Sequence, residues 1–430
     1  MSKKSSKNFI RPTLLRRWSQ PLLVGCFFVL FMAAWWMDAP SLWIQSLAER
    51  KLLLHEPQYA QTWINRGIRY SPRNPKVHLQ AARASLQLNM NRHALEHIED
   101  AAGLGGISEQ VAALRLITAA QLGDLRAAER LLNWQSDTAF PREAYEAIVR
   151  CFQLNDKLAR ANLLLNNLEA NGEMPEMVGY QRARNLEIME DFAGAAALFV
   201  KSQATHSYSP RTAFRAGKCY YQLRDFKQAE GMFRIAQVNP YTEIAAIEIA
   251  NCLWELRELD KAQMEIEKSL QVKPASMQVL YLQVDEYVDS DRGAMIGARI
   301  ADANGKPECA VELLERVLAY NHRDFEARSL LIKNLRLLNR GAEAEALAEL
   351  QSQMLANRKR CSELRMELAE NPGNVDKLCE LAELYWYTES IAESQLVLDQ
   401  ILEVDPNCVR AEALLAKINA ERQSRPVSID

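Results

Sequence analysis

Two stretches of this sequence carry one pattern, 33 residues apart: "GKCYYQLRDFKQAEGMF", Gly217 to Phe233, and "ANCLWELRELDKAQMEI", Ala250 to Ile266. Gly217 gives way to Ala250, while Cys219 repeats as Cys252, Leu223 as Leu256 and Ala229 as Ala262. Apolar residues fall at spacings of three and four, as a helix with one buried stripe requires. Followed in both directions, the small residue at the Ala229 place recurs as Ala60, Ala94, Ala128, Ala161, Ala195, Ala229 and Ala262, in steps of 33 or 34. A jump of 48 leads to Ala310, Ala344 follows 34 later, and a jump of 50 leads to Ser394.

Twelve residues before each of these anchors stands Ala48, Ala82, Leu116, Val149, Ala183, Gly217, Ala250, Ala298, Ile332 or Ala382. Four residues after stands Ile64, Ile98, Leu132, Leu165, Phe199, Phe233, Ile266, Leu314, Ala348 or Leu398. Each unit therefore reads as two helices, small residues marking their close approach and bulky ones filling the gap beside it. Pro72, Pro274 and Pro406 read as helix stops that close units. A lone pair cannot bury its apolar face, so each copy covers its neighbour.

A 34-residue unit of this kind resembles the tetratricopeptide repeat, a helix–turn–helix module. The resemblance covers about 41–420 and implies an all-α, right-handed superhelix (an α-solenoid) of about ten units over 41–406. The first unit is degenerate, with Pro57 in its turn region. Residues 407–422 read as a capping helix and 423–430 as a polar tail. The phase breaks, near 275–290 and 352–374, call for an added or lengthened helix. Ser276 to Val288 is a candidate insertion, and Ala342 to Glu370 contains neither Pro nor Gly. Its seam of Leu347, Leu350, Met354, Cys361, Leu364 and Leu368 can pack back on the array or join a second chain in a homo-oligomer.

The amino terminus reads as an address and is kept apart from the fold. Residues 1–20 carry six basic groups and no acid, and Pro21 to Met37 is uncharged. As a helix, 21–37 would span roughly 25 Å, near the lower limit for crossing a bilayer. Trp18, Trp35, Trp36 and Trp43 flank it, where indole rings favour the headgroup boundary. The expectation is a single-pass signal anchor, 1–20 cytoplasmic and the repeats on the extracytoplasmic, periplasmic side. A lipoprotein box at Leu23 to Cys26, cleavage near Ser46 to Ala48 and a twin-arginine signal at Arg16-Arg17 are the competing readings. Each fits the flanking residues less well.

The chain has 430 residues and a net charge of −3; without the first 20 residues, 46 basic groups face 55 acids, a charge of −9. Phosphates would be repelled by such a body, so nucleic acid is not the expected partner. Signals for chemistry are few. "HALEH", His93 to His97, matches the H-x-x-E-H string of inverted zinc peptidases. It straddles the anchor Ala94, however, and packing already explains its helix. His55, His78, His206 and His322 show no paired spacing, and the eight cysteines form no C-x-x-C. The expectation is no catalytic residue, no metal and no cofactor. Cys219 and Cys252 read as packing groups, and pairing of Cys361 or Cys379 stays open.

What remains is surface. Eleven residues before each anchor stand Glu49, Arg83, Ile117, Arg150, Arg184, Lys218, Asn251, Arg299, Lys333 and Glu383. Six of these ten are basic, where the chain's 52 Lys and Arg in 430 residues would give about one. Tyr221, Trp254 and Trp386 lie three residues further on. The row is either a solvated charged face or a groove for an acidic or extended protein segment, with Arg83, Arg150, Arg184, Lys218, Tyr221, Asn251, Trp254, Arg299 and Lys333 as its contacts. The Lys and Asn clamp that chaperone-tail binders of the family use is not present. The resemblance implies a non-catalytic, membrane-anchored scaffold for assembly of an envelope or membrane complex. Alternatives are a regulatory subunit of a membrane enzyme and, disfavoured by charge, a helical-repeat RNA binder.

Overall fold

The computed structural model describes residues 39–424 apart from 54–56, 135–139, 206–209, 239, 273, 285, 287, 289 and 389–390. The 1–20 segment, the 21–37 span and most of the polar tail lie outside the described residues. Among the described residues every regular element is a helix, and none is long and apolar enough to cross a membrane. The chain divides into two units, 1–122 with 130–143, and 123–129 with 144–430.

In the first unit Ala39–Leu53 pairs with Pro57–Tyr70, and Pro75–Gln87 with Asn91–Gly103, ahead of Ser108–Gln121. In the second, successive pairs are Pro175–Ile188 with Phe192–Thr205, Pro210–Gln222 with Phe226–Ala236, and Thr242–Glu255 with Leu259–Leu270. Beyond Pro274–Gln283 come Arg292–Ala303 with Pro307–Tyr320, Phe325–Leu337 with Gly341–Glu370, and Val375–Thr388 with Ile391–Val404. Val409–Ser424 follows, where the capping helix was expected.

All ten anchors, from Ala60 to Ser394, are fully buried. The turns keep the same phase. Left-handed residues stand at Asn89, Gly123, Asp156, Glu190, Arg224, Arg257, Gly305 and Asn339, each five before an anchor. At Asn89 the next residue, Met90, donates its N–H to the Ser85 carbonyl, and Lys157, Asp191, Asp225, Glu258, Lys306 and Arg340 repeat that bond. This is the Schellman ending, which satisfies the last carbonyls of the first helix and reverses the chain.

Two sequence readings need correction. Pro274 opens a helix rather than closing a unit, because the missing N–H of proline costs nothing in a first turn. Leu116 and Leu132 are only half-buried, and their neighbours Ile117 and Leu131 take the interior instead. Where two apolar residues are adjacent, packing chooses between them.

Both phase breaks have a structural cause. Pro274–Gln283 is the inserted helix, shorter than the Ser276 to Val288 expectation, and its Met277 and Tyr281 join Val284 and Val288 in one core with Phe214, Ile244 and Ile247. The second is the 30-residue helix Gly341–Glu370. Its Ala344, Leu347 and Ala348 pack with Ala310, Leu314 and Leu331. Its Cys361, Leu364 and Leu368 pack with Leu378, Tyr385, Leu398 and Ile418. One helix, about 45 Å long, thus completes one core and begins the next, and most of the seam is consumed within the chain. Leu350 remains exposed.

The opening pair of stretches explains its own Gly-to-Ala difference. A Cβ at Gly217 would stand 2.7 to 3.0 Å from three ring carbons of Phe233, which is fully buried and held edge-on by Phe214. Ala250 shares its core with Ile266, the residue at the Phe233 place. Gly217→Ala should therefore lower the stability of the second unit by about 1–3 kcal/mol in urea unfolding, although alanine is the better helix former by about 1 kcal/mol. Phe233→Leu in the same chain should restore part of the loss. An unchanged midpoint for Gly217→Ala alone would show that the ring moves freely.

Candidate partner-binding face

The residues of the cationic row stand on the first helices of their units, but they are not a bare stripe. In the first unit Arg83, on Pro75–Gln87, is 6% exposed. Its Nε and Nη2 donate to Glu143 Oε1 at 3.1 and 2.8 Å, and Nη1 donates to Glu49, the row member one unit earlier. The guanidinium also lies over the Phe140 ring, 4.6 Å from its centroid. Burial opposes its charge, yet Glu143 and Glu49 outweigh that and hold its pKa above the ordinary guanidinium value. Such a group holds helices together and is closed to a visitor.

In the second unit Arg150 is half-buried. Arg184 pairs with Glu187, which also accepts from Arg215. Lys218 Nζ lies 2.7 Å from Glu286 and 3.7 Å from Glu248. Glu248 is fully buried and accepts from Tyr281 Oη at 2.9 Å and from Arg292 Nη2 at 3.0 Å. Burial opposes ionisation of Glu248, but Arg292 and Lys218 overcome it and keep its pKa below the ordinary carboxylate value. Burial and Glu248 together push the Tyr281 hydroxyl well up, so it stays a donor. Arg215 also reaches the Val284 carbonyl, 3.3 Å away.

Tyr281, Val284 and Glu286 all belong to the 274–291 insertion. Through these residues it meets the first helices Pro210–Gln222 and Thr242–Glu255, Val284 at Arg215, Glu286 at Lys218 and Tyr281 at Glu248. Lys218 thus has an internal carboxylate partner in Glu286. Glu248, Glu286, Arg215 and Tyr281 were not singled out by sequence, since none shares the row's phase.

Further along, Asn251 is as buried as Arg83, and the row opens only towards Arg299 and Lys333. Asn251 and Trp254, three apart on one helix, share a face. Arg299, on the neighbouring first helix, lies over the Trp254 indole at 5.7 Å. The Asn251 Oδ1 and Trp254 Nε1 atoms are buried and have no hydrogen-bond partner among the described residues. Arg299 Nε donates to Glu326 at 2.9 Å, but that glutamate side chain is 60% exposed. Lys333, itself 57% exposed, pairs with Asp302 at 2.7 Å. Tyr221 packs edge-on against Phe226 and donates to Glu255 Oε1 at 3.2 Å. Burial and Glu255 push its pKa up to about 12, so it too remains a neutral donor.

The row therefore has two characters. At Arg83, Arg184 and Lys218 the cations are locked against internal carboxylates; Arg299 instead lies over an aromatic ring with an exposed partner, and Lys333 is itself exposed beside a more buried Asp302.

No protein-family model matches the chain, and no curated protein does. Among solved structures it is similar to YrrB, described as a TPR protein with an unusual peptide-binding site, at 16% identity over 52% of this chain and 98% of that one, with a TM-score of 0.28. A tetratricopeptide repeat protein from Parabacteroides merdae matches at 11% identity over 68% of this chain and 99% of that one, TM-score 0.38. Human IFIT1, solved as a dimer with PPP-AAAA, matches at 15% identity over 87% of this chain and 84% of that one, TM-score 0.45.

Proposed function

We propose that this chain is a non-catalytic scaffold, tethered to a membrane by residues 21–37, that holds protein partners during assembly of an envelope or membrane complex. The observation that carries the binding role is Arg299 lying over the half-buried Trp254 indole while its own ion-pair partner, Glu326, has a side chain 60% exposed. An acidic side chain on a bound peptide would replace Glu326 at Arg299, since an exposed pair contributes only about 0–1 kcal/mol. Trp254 supplies the apolar anchor, as aromatic groups do in interfaces. The contact centre is thus Trp254, Arg299 and Lys333, displaced from the Lys218 end, where Glu286 occupies the cation.

Trp254→Ala combined with Arg299→Glu should cut recovery of partners crosslinked in membranes by roughly 30-fold, the effect of losing one 2 kcal/mol anchor. Helicity should be unchanged. Recovery equal to wild type would remove this face from consideration.

A further inference from the structure

A second group of side chains, in the first unit, answers to different chemistry. His78 lies on Pro75–Gln87, and His97 and Asp100 lie on its partner helix Asn91–Gly103. The His78 side chain is 9% exposed. Its Nε2 is 2.9 Å from the Pro72 carbonyl oxygen, which can only accept, so this nitrogen carries the ring proton. In the neutral ring Nδ1 is then a bare lone pair. It faces Asp100 Oδ2 at 3.4 Å and has no hydrogen-bond partner among the described residues. The His97 Nδ1 atom is likewise buried and unpartnered, 3.9 Å from the same carboxylate oxygen. All three ligand atoms lie within 4.8 Å of one another.

Three potential ligand atoms converge here, and in the neutral ring the His78 one carries no hydrogen. A proton could bridge two of them, but not three. We propose that His78 Nδ1, His97 Nδ1 and an Asp100 carboxylate oxygen bind one divalent transition ion of the zinc type. Two imidazoles and a carboxylate are ligands this ion favours. At metal–ligand lengths of about 2.0–2.1 Å, tetrahedral geometry separates neighbouring ligand atoms by roughly 3.4 Å, the His78–Asp100 spacing. The ring N–H held by a backbone carbonyl is the arrangement that orients metal-bound imidazoles. Asp100 is 58% exposed, so an ion has a path from solvent. Bound there, it would pin the two helices of one repeat to each other.

This is not the arrangement that the His93 to His97 string suggests. His93 lies outside the three-residue group, and Glu96, a candidate for activating water in that motif, is exposed beside Arg92 at 4.0 Å. The ligand from the other helix, His78, replaces His93, and the site has the character of a clamp.

The test uses the full-length chain, stripped with a chelator and titrated with zinc chloride by calorimetry and with cobalt(II) by visible absorption. One saturable equivalent is expected, with the d–d bands of a low-coordinate nitrogen and oxygen site. His97→Gln and Asp100→Asn change partly exposed side chains, so circular dichroism should be unaltered. Each should weaken binding at least tenfold, the lower end of what even an outer hydrogen-bond partner of a ligand costs. His93→Gln should leave binding as it was. Absence of a saturable equivalent, or one that survives both ligand changes, overturns the site. A loss with His93→Gln equal to that with His97→Gln also overturns it and assigns the ion to the helix's own string.

Discussion

Glu248→Ala is expected to lower the stability of the 144–430 unit by about 3–5 kcal/mol, the cost of removing one partner from a buried ion pair. The carboxylate is fully buried and joins three elements: Lys218 on one first helix, Tyr281 in the insertion and Arg292 at the start of the next helix. Truncation leaves Arg292 without its acid and the Tyr281 hydroxyl without its acceptor. Lys218 keeps Glu286, which limits the loss on that side. Glu248→Gln retains an acceptor for Tyr281 and should cost less than alanine. Urea unfolding followed by tryptophan fluorescence measures both.

The same residue gives a pH signature. Its pKa is held below its ordinary value of 4.5. The stabilisation is therefore complete at neutral pH, begins to fade as pH falls past about 4.5 and is lost once pH passes below the lowered folded value. Wild type should lose stability in that acid range more steeply than Glu248→Gln. Equal stability of wild type and Glu248→Ala at pH 7 would mean that water, not Glu248, solvates these cations.

The repeat was legible because its physical cause is local. Ala94, Ala161, Ala229 and their equivalents are small because two helices touch there, and burial of every anchor follows from that one constraint. The turns were less visible, although they keep the phase better than any side chain. Asn89 and Gly123 suit a left-handed position, whereas Glu190, Arg224 and Arg257 do not by type. The Schellman bonds impose the conformation on whatever residue falls there. The row was legible as position but not as environment. Phase placed Arg83 and Lys218 on first helices, yet it carries no information on an out-of-phase insertion, so Glu286 meeting Lys218 lay beyond it. The His78 and His97 meeting has a signal in hindsight. In the Ala94 repeat, Ala82 at −12 and the anchor itself are both fully buried between paired helices, so −16 and +3 are neighbours as well. His78 and His97 hold those two positions relative to Ala94.

Cysteine pairing, which spacing left open, has an expected result. Cys379, on Val375–Thr388, and Cys408, just before Val409–Ser424, are both buried, with their sulfurs 3.7 Å apart. Oxidation of the folded protein with diamide should join them: the two thiols give up two protons and two electrons, one S–S bond forms, and diamide becomes the hydrazine. The sulfurs must close to about 2.05 Å, a shift that neighbouring side chains such as Leu378 and Ala411 have to absorb. The reaction should be slow at neutral pH, because burial and the hydrogen bond with Cys408 push the Cys379 thiol up to about 11 and the thiolate is the reactive form. A bond across 29 residues should add about 3–4 kcal/mol to the stability of the carboxy-terminal core, less any strain. Dithiothreitol should reverse the gain, and Cys408→Ser should abolish it. No change in urea midpoint on oxidation would mean that the core cannot accept the shorter distance. The pair also reports on the proposed topology. Repeats lying in an oxidising compartment should yield protein already linked at Cys379–Cys408 when cells are quenched in acid, since disulfides persist there and not in the cytoplasm. A reduced pair in protein whose purified form oxidises readily would place the repeats on the cytoplasmic side, and the acidic partner segment would then have to be sought among cytoplasmic proteins.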